Sequence, residues 1–199
     1  MALNVLAGQG LQISVLWRPF RLNPEMPPGG LPRVDYRRAK FGSLERSQQL
    51  DSQVATAARA AGVRINHDRI ARTPNTLAAH RLIRLAGLEG RQDALVGRLF
   101  KDYFVDGRDI GDDSVLADAA AAVGMDRAVA HAYLVGDASR AEVEQEDAAV
   151  RRAGLQGGAG LRYPQPCPVC GRRSGRCPRR RAGPRLRRPT ASIAPPGEM

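Results

Sequence analysis

The sequence predicts an α/β chain that is mostly α-helical: one short β-strand, a run of helices, then a disordered basic tail. Three observations carry that expectation. Residues 13–17 (Ile-Ser-Val-Leu-Trp) form the one convincing run of β-branched and aromatic residues, the composition of a strand. From about residue 33 to 154, apolar residues recur at helical spacing between Ser or Asp starts and Gly stops. Past Gln156, Gly, Pro and Arg dominate, apolar periodicity ends, and no segment has a face to bury.

Residues 4–10 read as the end of a helix, with Gly8 or Gly10 as a left-handed cap. The strand over 13–17 is stopped by Pro19, which has no N–H to give, and Pro24 keeps the chain extended. A lone strand leaves both edges unpaired, so Ile13, Val15 and Trp17 are expected to be partly exposed. Residues 26–32, with three Pro and two Gly, form a loop. A short helix over 34–41 closes at Gly42, and Ser43 N-caps a helix that runs to Ala61 and closes at Gly62. Residues 63–65 are briefly extended. Asn75 or Thr73 caps a helix carrying Leu77, His80, Leu82, Ile83 and Leu85. Gly90 separates it from a helix with Leu95, Leu99, Phe100, Tyr103 and Phe104. Asp112 or Asp113 starts a helix over 114–123 closed by Gly124, and Asp126 starts one that reaches Val135 and closes at Gly136. The last helix, 138–153, is acidic early (Glu142, Glu144) and basic late (Arg151, Arg152), as the macrodipole prefers.

At 199 residues the chain has room for one domain, or one domain with an insertion, and a real core. The apolar fraction of 43% is ordinary and the aromatic fraction of 5% is low. The net charge of +11 is unevenly placed: residues 157–199 hold ten Arg and one acid, while residues 1–156 hold 21 basic and 19 acidic groups. The body is nearly neutral, and the nucleic-acid signal belongs to the tail. No apolar run approaches the roughly 20 residues of a membrane span. No basic stretch precedes an apolar core at the N-terminus, and the three Cys all lie in the tail, so a signal peptide and a disulfide-stapled secreted domain are not expected. The expected location is the cytoplasm.

Each candidate site has a plainer account. Cys167-Pro-Val-Cys170 has the spelling of a redox pair, but such a pair needs a strand before it and a helix after it to depress a thiol pKa. Zinc on Cys167, Cys170 and Cys177 lacks a fourth ligand in the tail, and His131 lies far upstream. The clustered Arg from Arg172 to Arg188 would neutralise phosphates weakly and without sequence choice, since no aromatic follows Tyr163. His80 is read as a hydrogen-bonded packing residue rather than a general base, and His67 and His131 have no nucleophile or carboxylate at telling spacing. Asp106, Asp109, Asp112 and Asp113 lack the calcium-loop pattern and its closing Glu, so capping and solvation are expected. Trp17 and Phe20 are expected to pack the sheet against the helices. No catalytic, cofactor-binding or metal-ligating residue is assigned, and no cofactor is expected.

Several separate motifs carry a resemblance. Trp17-Arg-Pro-Phe-Arg-Leu-Asn-Pro-Glu-Met-Pro, Lys40-Phe-Gly, Asn75-Thr-Leu-Ala-Ala-His-Arg-Leu, Leu99-Phe-Lys-Asp-Tyr-Phe-Val-Asp-Gly-Arg-Asp-Ile and Asp147-Ala-Ala-Val-Arg-Arg-Ala-Gly-Leu stand in that order. Over about residues 3–156 the chain resembles the DsbA-like thioredoxin superfamily, nearest its FrnE-type dithiol oxidoreductases, with 2-hydroxychromene-2-carboxylate isomerases as distant kin. The resemblance implies a thioredoxin-like fold with an inserted helical domain. Residues 1–32 would be the remnant of the thioredoxin-like part, 33–136 the insertion, 137–156 the returning helix, and 157–199 the tail.

The chain departs from that pattern at both ends. The family's Cys-x-x-Cys opens the first helix after the first strand, and this chain is read as starting within that helix, without strand or Cys pair. The family's Val–cis-Pro opens the third strand, where this chain has Gly157-Gly-Ala-Gly-Leu-Arg-Tyr. Removing one guanine from a GC-rich spelling of that stretch gives Gly-Val-Pro-Gly-Phe-Ala-Ile, so a shifted frame would account for the tail. The resemblance thus implies protein disulfide exchange on a disulfide-containing protein or small thiol, with this chain inactive. The alternative is a non-catalytic helical binding module with a basic polyanion-binding arm.

Overall fold

The computed structural model describes residues 15–154; the expected helix end at 4–10, Ile13 and the 157–199 tail lie outside them. Seven α-helices stand among the described residues: α1 (Arg33–Phe41), α2 (Leu44–Ala60), α3 (Leu77–Leu88), α4 (Gln92–Phe104), α5 (Asp113–Ala122), α6 (Arg127–Val135) and α7 (Arg140–Arg152). Two two-residue strands, β1 (Leu31–Pro32) and β2 (Arg72–Thr73), pair antiparallel with Leu31 opposite Thr73.

Three of the seven described helices start at a side-chain cap. Ser43 Oγ accepts from the Arg46 N–H at 3.1 Å, and Asp126 Oδ1 accepts from the Val129 N–H at 2.9 Å. Of the two Asp offered by the sequence, Asp112 is the cap of α5, accepting from the N–H groups of Ser114 and Val115. Asn75, not Thr73, serves α3: its Oδ1 accepts from the Leu77 N–H at 3.0 Å while its amide donates to the Met26 carbonyl at 2.7 Å. The last helix begins two residues later than the sequence suggests, because Ser139 sits at φ 57°, in the left-handed region.

α3, α4, α5 and α6 enclose the core. Leu82, Leu95 and Leu116 are fully buried, and the small residues Ala86, Ala119 and Ala120 let neighbouring helices approach closely. Each of those leucines contributes on the order of 2 kcal/mol by leaving water. α7 lies against α3 through Val143, which is fully buried.

The buried Arg81 ties α3 to the far end of α6. Its guanidinium donates to the carbonyls of Tyr133 (2.7 Å), Leu134 (3.1 Å) and Ala138 (2.8 Å), and to that of Gly136. These are carbonyls at and just past the end of a helix, which lack intrahelical donors and carry the negative end of its dipole. A cation with five planar donors meets that need better than any neutral side chain.

Two expectations are corrected. The described part of the expected strand, residues 15–17, forms no strand and pairs with none among the described residues. The backbone of Trp17 is satisfied by a side chain instead: the Gln92 amide accepts from the Trp17 N–H at 3.0 Å and donates to the Trp17 carbonyl at 3.3 Å. The strand pairing that does occur lies in part of the expected loop 26–32, where Gly30 at φ 66° brings the chain so close to Thr73 that a Cβ would overlap its carbonyl. At residues 63–65 the Val63 N–H bonds back to the Ala58 carbonyl.

Candidate functional site

The segment over 15–23 lies across the helices and is held there by α4 and α7. On the α4 side, the Trp17 indole N–H donates to Asp93 Oδ1 at 3.0 Å and its ring meets Phe100 edge-on, centroids 6.5 Å apart. On the α7 side, Glu146 pairs with both Arg18 (2.9 Å) and Arg84 (2.7 Å). The buried Asp147 accepts from the Arg21 N–H at 3.0 Å and from Arg21 Nε at 3.1 Å. Arg151 returns a hydrogen bond to the Arg21 carbonyl and lies 4.5 Å over the Phe20 ring. Desolvation pushes the Asp147 carboxyl up, but the Arg21 N–H and the Arg151 and Arg21 guanidiniums outweigh it and hold the group below its usual range.

Between this segment and the helices opens an apolar groove of about 380 Å³. Trp17, Phe20 and Leu22 form one wall; Ala79, His80 and Ile83 of α3 and Leu99, Phe100, Tyr103 and Phe104 of α4 form the other. The aromatic rings meet in sequence, Phe100 tilted against Phe104 at 6.1 Å and Phe104 edge-on to Tyr103 at 4.9 Å. Phe100 and Leu22 are each more than half exposed, so the groove opens to water through apolar side chains.

Few polar groups reach the groove. Tyr103 donates its hydroxyl to the Arg72 carbonyl at 3.3 Å, and burial, against the pull of Arg33, raises its pKa. Burial holds the His80 imidazole at about 4, well below its usual 6.5, against the opposing pull of Asp147. His80 is therefore a neutral residue in the groove wall at pH 7, with no Cys or Ser among the groove residues.

The other sequence candidates fall elsewhere. His67 lies 3.9 Å from Asp51, which also holds Arg33 and Arg37. Asp106 pairs with Lys101, Asp109 accepts from the Gly111 N–H and faces Arg72, Asp112 caps α5, and Asp113 stands in its first turn. Trp17 and Phe20 pack on helices α4 and α7 rather than on a sheet. Cys167, Cys170, Cys177 and the stretch from Arg172 to Arg188 lie outside the described residues. Sequence reasoning missed Gln92, Glu146 and Asp147 as anchors of the 15–23 segment, because a polar residue on an amphipathic helix reads as solvated until its partner is known.

The motifs that carried the resemblance acquire physical roles in this arrangement. Asn75, His80 and Arg81 of one motif cap α3, line the groove and cap α6. In another, Asp102 is wholly buried, bonded by Arg98 at 2.9 Å, and Gly107 turns at φ 73° against the Arg69 carbonyl.

Among solved structures, the chain is similar to that of a probable DsbA oxidoreductase from Streptomyces coelicolor, with 29% identity and a TM-score of 0.65. The match covers 71% of this chain and 62% of that one, so the chain spans less than two thirds of the relative's length. No curated protein matches it. No described helix is long and apolar enough to cross a membrane. The sequence also matches the DSBA-like thioredoxin domain over residues 1–158, and the chain belongs to that family.

Proposed function

We propose that residues 15–154 form the substrate-facing helical part of a thiol–disulfide oxidoreductase, and that this chain carries no dithiol exchange of its own. The observation that carries the reading is the open aromatic groove, whose walls hold no thiol. A groove of this size and character suits an apolar side chain of a disulfide-bearing polypeptide. Exchange itself requires a thiolate that attacks one sulfur of the substrate disulfide, releases the other as a thiol, and leaves a mixed disulfide for a second thiol to resolve. No cysteine stands before Cys167 in the sequence, so no described residue can take the first step.

The run from Trp17 through Pro27 supports the FrnE-type branch within the family, and the placement of all three Cys in the tail supports a cytoplasmic location. In an insulin-reduction assay with dithiothreitol, the full chain and its C167S/C170S variant should precipitate insulin at the same background rate. Turnover by the full chain that the variant lacks would overturn the proposal. A second reading, a helical binding module with a polyanion-binding arm, rests on the ten Arg of residues 157–199. It requires salt-sensitive retention on RNA that deleting those residues abolishes.

A further inference from the structure

A second cleft, sharing no lining residue with the apolar groove, lies between the C-terminal half of α2 and the connection through residues 61–69. It encloses about 400 Å³. Arg59, Arg64 and Arg69 line it together with His67, and Asp51 and Asp68 are its acids.

The charge balance there is unlike that of the other described residues. Eleven of the nineteen described arginines have a carboxylate within ion-pair distance, and Arg81 and Arg91 donate to carbonyls instead. Three of the six that have neither, Arg59, Arg64 and Arg69, converge on this one cleft. Asp51 does little to neutralise them, because Arg33 and Arg37 already hold both of its oxygens. That leaves Asp68 as the one unengaged acid against three guanidiniums. Like charges gathered around a concave space repel one another, and an anion bound among them relieves the repulsion. Burial first, then Arg33 and Arg37, lowers the His67 pKa against the pull of Asp51, so its ring stands in the wall as a neutral hydrogen-bonding group.

We propose that this cleft binds a small multivalent oxyanion of the phosphate class, held by Arg59, Arg64 and Arg69. Guanidiniums meet phosphate oxygens in bidentate fashion, and the cleft is pocket-sized rather than a stripe along which a polymer could run.

The test is an NMR titration of the full chain with inorganic pyrophosphate, which separates this cleft from the arginines of the tail residue by residue. Saturable shifts are expected at the side-chain N–H signals of Arg59, Arg64 and Arg69 and at the His67 ring. R59Q/R64Q should weaken the affinity by about tenfold or more, whereas R38Q/R46Q, which removes equal charge from exposed sites elsewhere, should change it by less than about twofold. Shifts that rise without saturating, or equal losses in the two double variants, would overturn the site. A short single-stranded RNA that binds the same residues more tightly than pyrophosphate would make the cleft a nucleic-acid surface and overturn the small-ligand assignment. The groove reading stands or falls separately, since its assay involves none of these residues.

Discussion

Replacing Arg81 by Met tests whether a single buried cation holds α6 in place. The side chain is 2% exposed and bonds four carbonyls, with no carboxylate to neutralise it. A unit charge about 4 Å from the half-charge at a helix end is worth about 2 kcal/mol at an effective dielectric of 20. Hydrogen bonds from a charged donor contribute about 1.5–3 kcal/mol each, and burying the guanidinium opposes them by several kcal/mol. Met restores the apolar volume and removes the desolvation cost, but it leaves four carbonyls without their donor. A net loss of about 3–5 kcal/mol follows, comparable to breaking a buried ion pair from one side. Lys, a point charge with three donors, should recover about half of that loss. Urea unfolding, checked for a constant m-value, measures the difference. R91Q is the control, since Arg91 makes one bond at the surface, to the Val123 carbonyl, and its loss should be below about 1 kcal/mol. If R81M costs no more than R91Q, the capping argument fails. Amide exchange should localise the effect, with faster exchange in the last turn of α6 preceding any change in α4.

Two further predictions concern the groove wall and a turn. His80 has its pKa depressed from 6.5 to about 4, so unfolding takes up a proton between those values. Its contribution is complete above about pH 6.5 and is lost as the pH falls towards 4, up to roughly 3 kcal/mol. H80F should flatten the stability curve within that window, and an unchanged slope would show that the ring is not held neutral by burial. Gly107→Ala should cost more than about 2 kcal/mol, because strain at φ 73° is joined by overlap with the Arg69 carbonyl. Gly42→Ala, at φ 82° with open space around it, should cost about 1 kcal/mol, and equal thermal shifts for the two would refute the steric part.

Helix count, order and starts were legible in the sequence because they depend on local chemistry. Ser43, Asp112 and Asp126 cap where their short side chains reach the next turn, and Leu82 with Leu85, like Leu95 with Leu99, recur within their helices at a spacing that shows a core face before any partner is known. The family was legible too, through motifs such as Asn75 to Leu82 whose residues have separate structural duties. What tertiary structure decided was where polar groups found partners. Ile-Ser-Val-Leu-Trp reads as a strand from its side chains, yet at Trp17 the Gln92 amide, 75 residues away, takes both backbone bonds. Arg151 looked like a helix-end charge, and with Asp147 it clasps Arg21 across the fold. Local sequence reports propensity and period. It cannot report which distant donor reaches a given carbonyl, and here those distant bonds set the groove's walls and left three arginines together with one unengaged acid, Asp68.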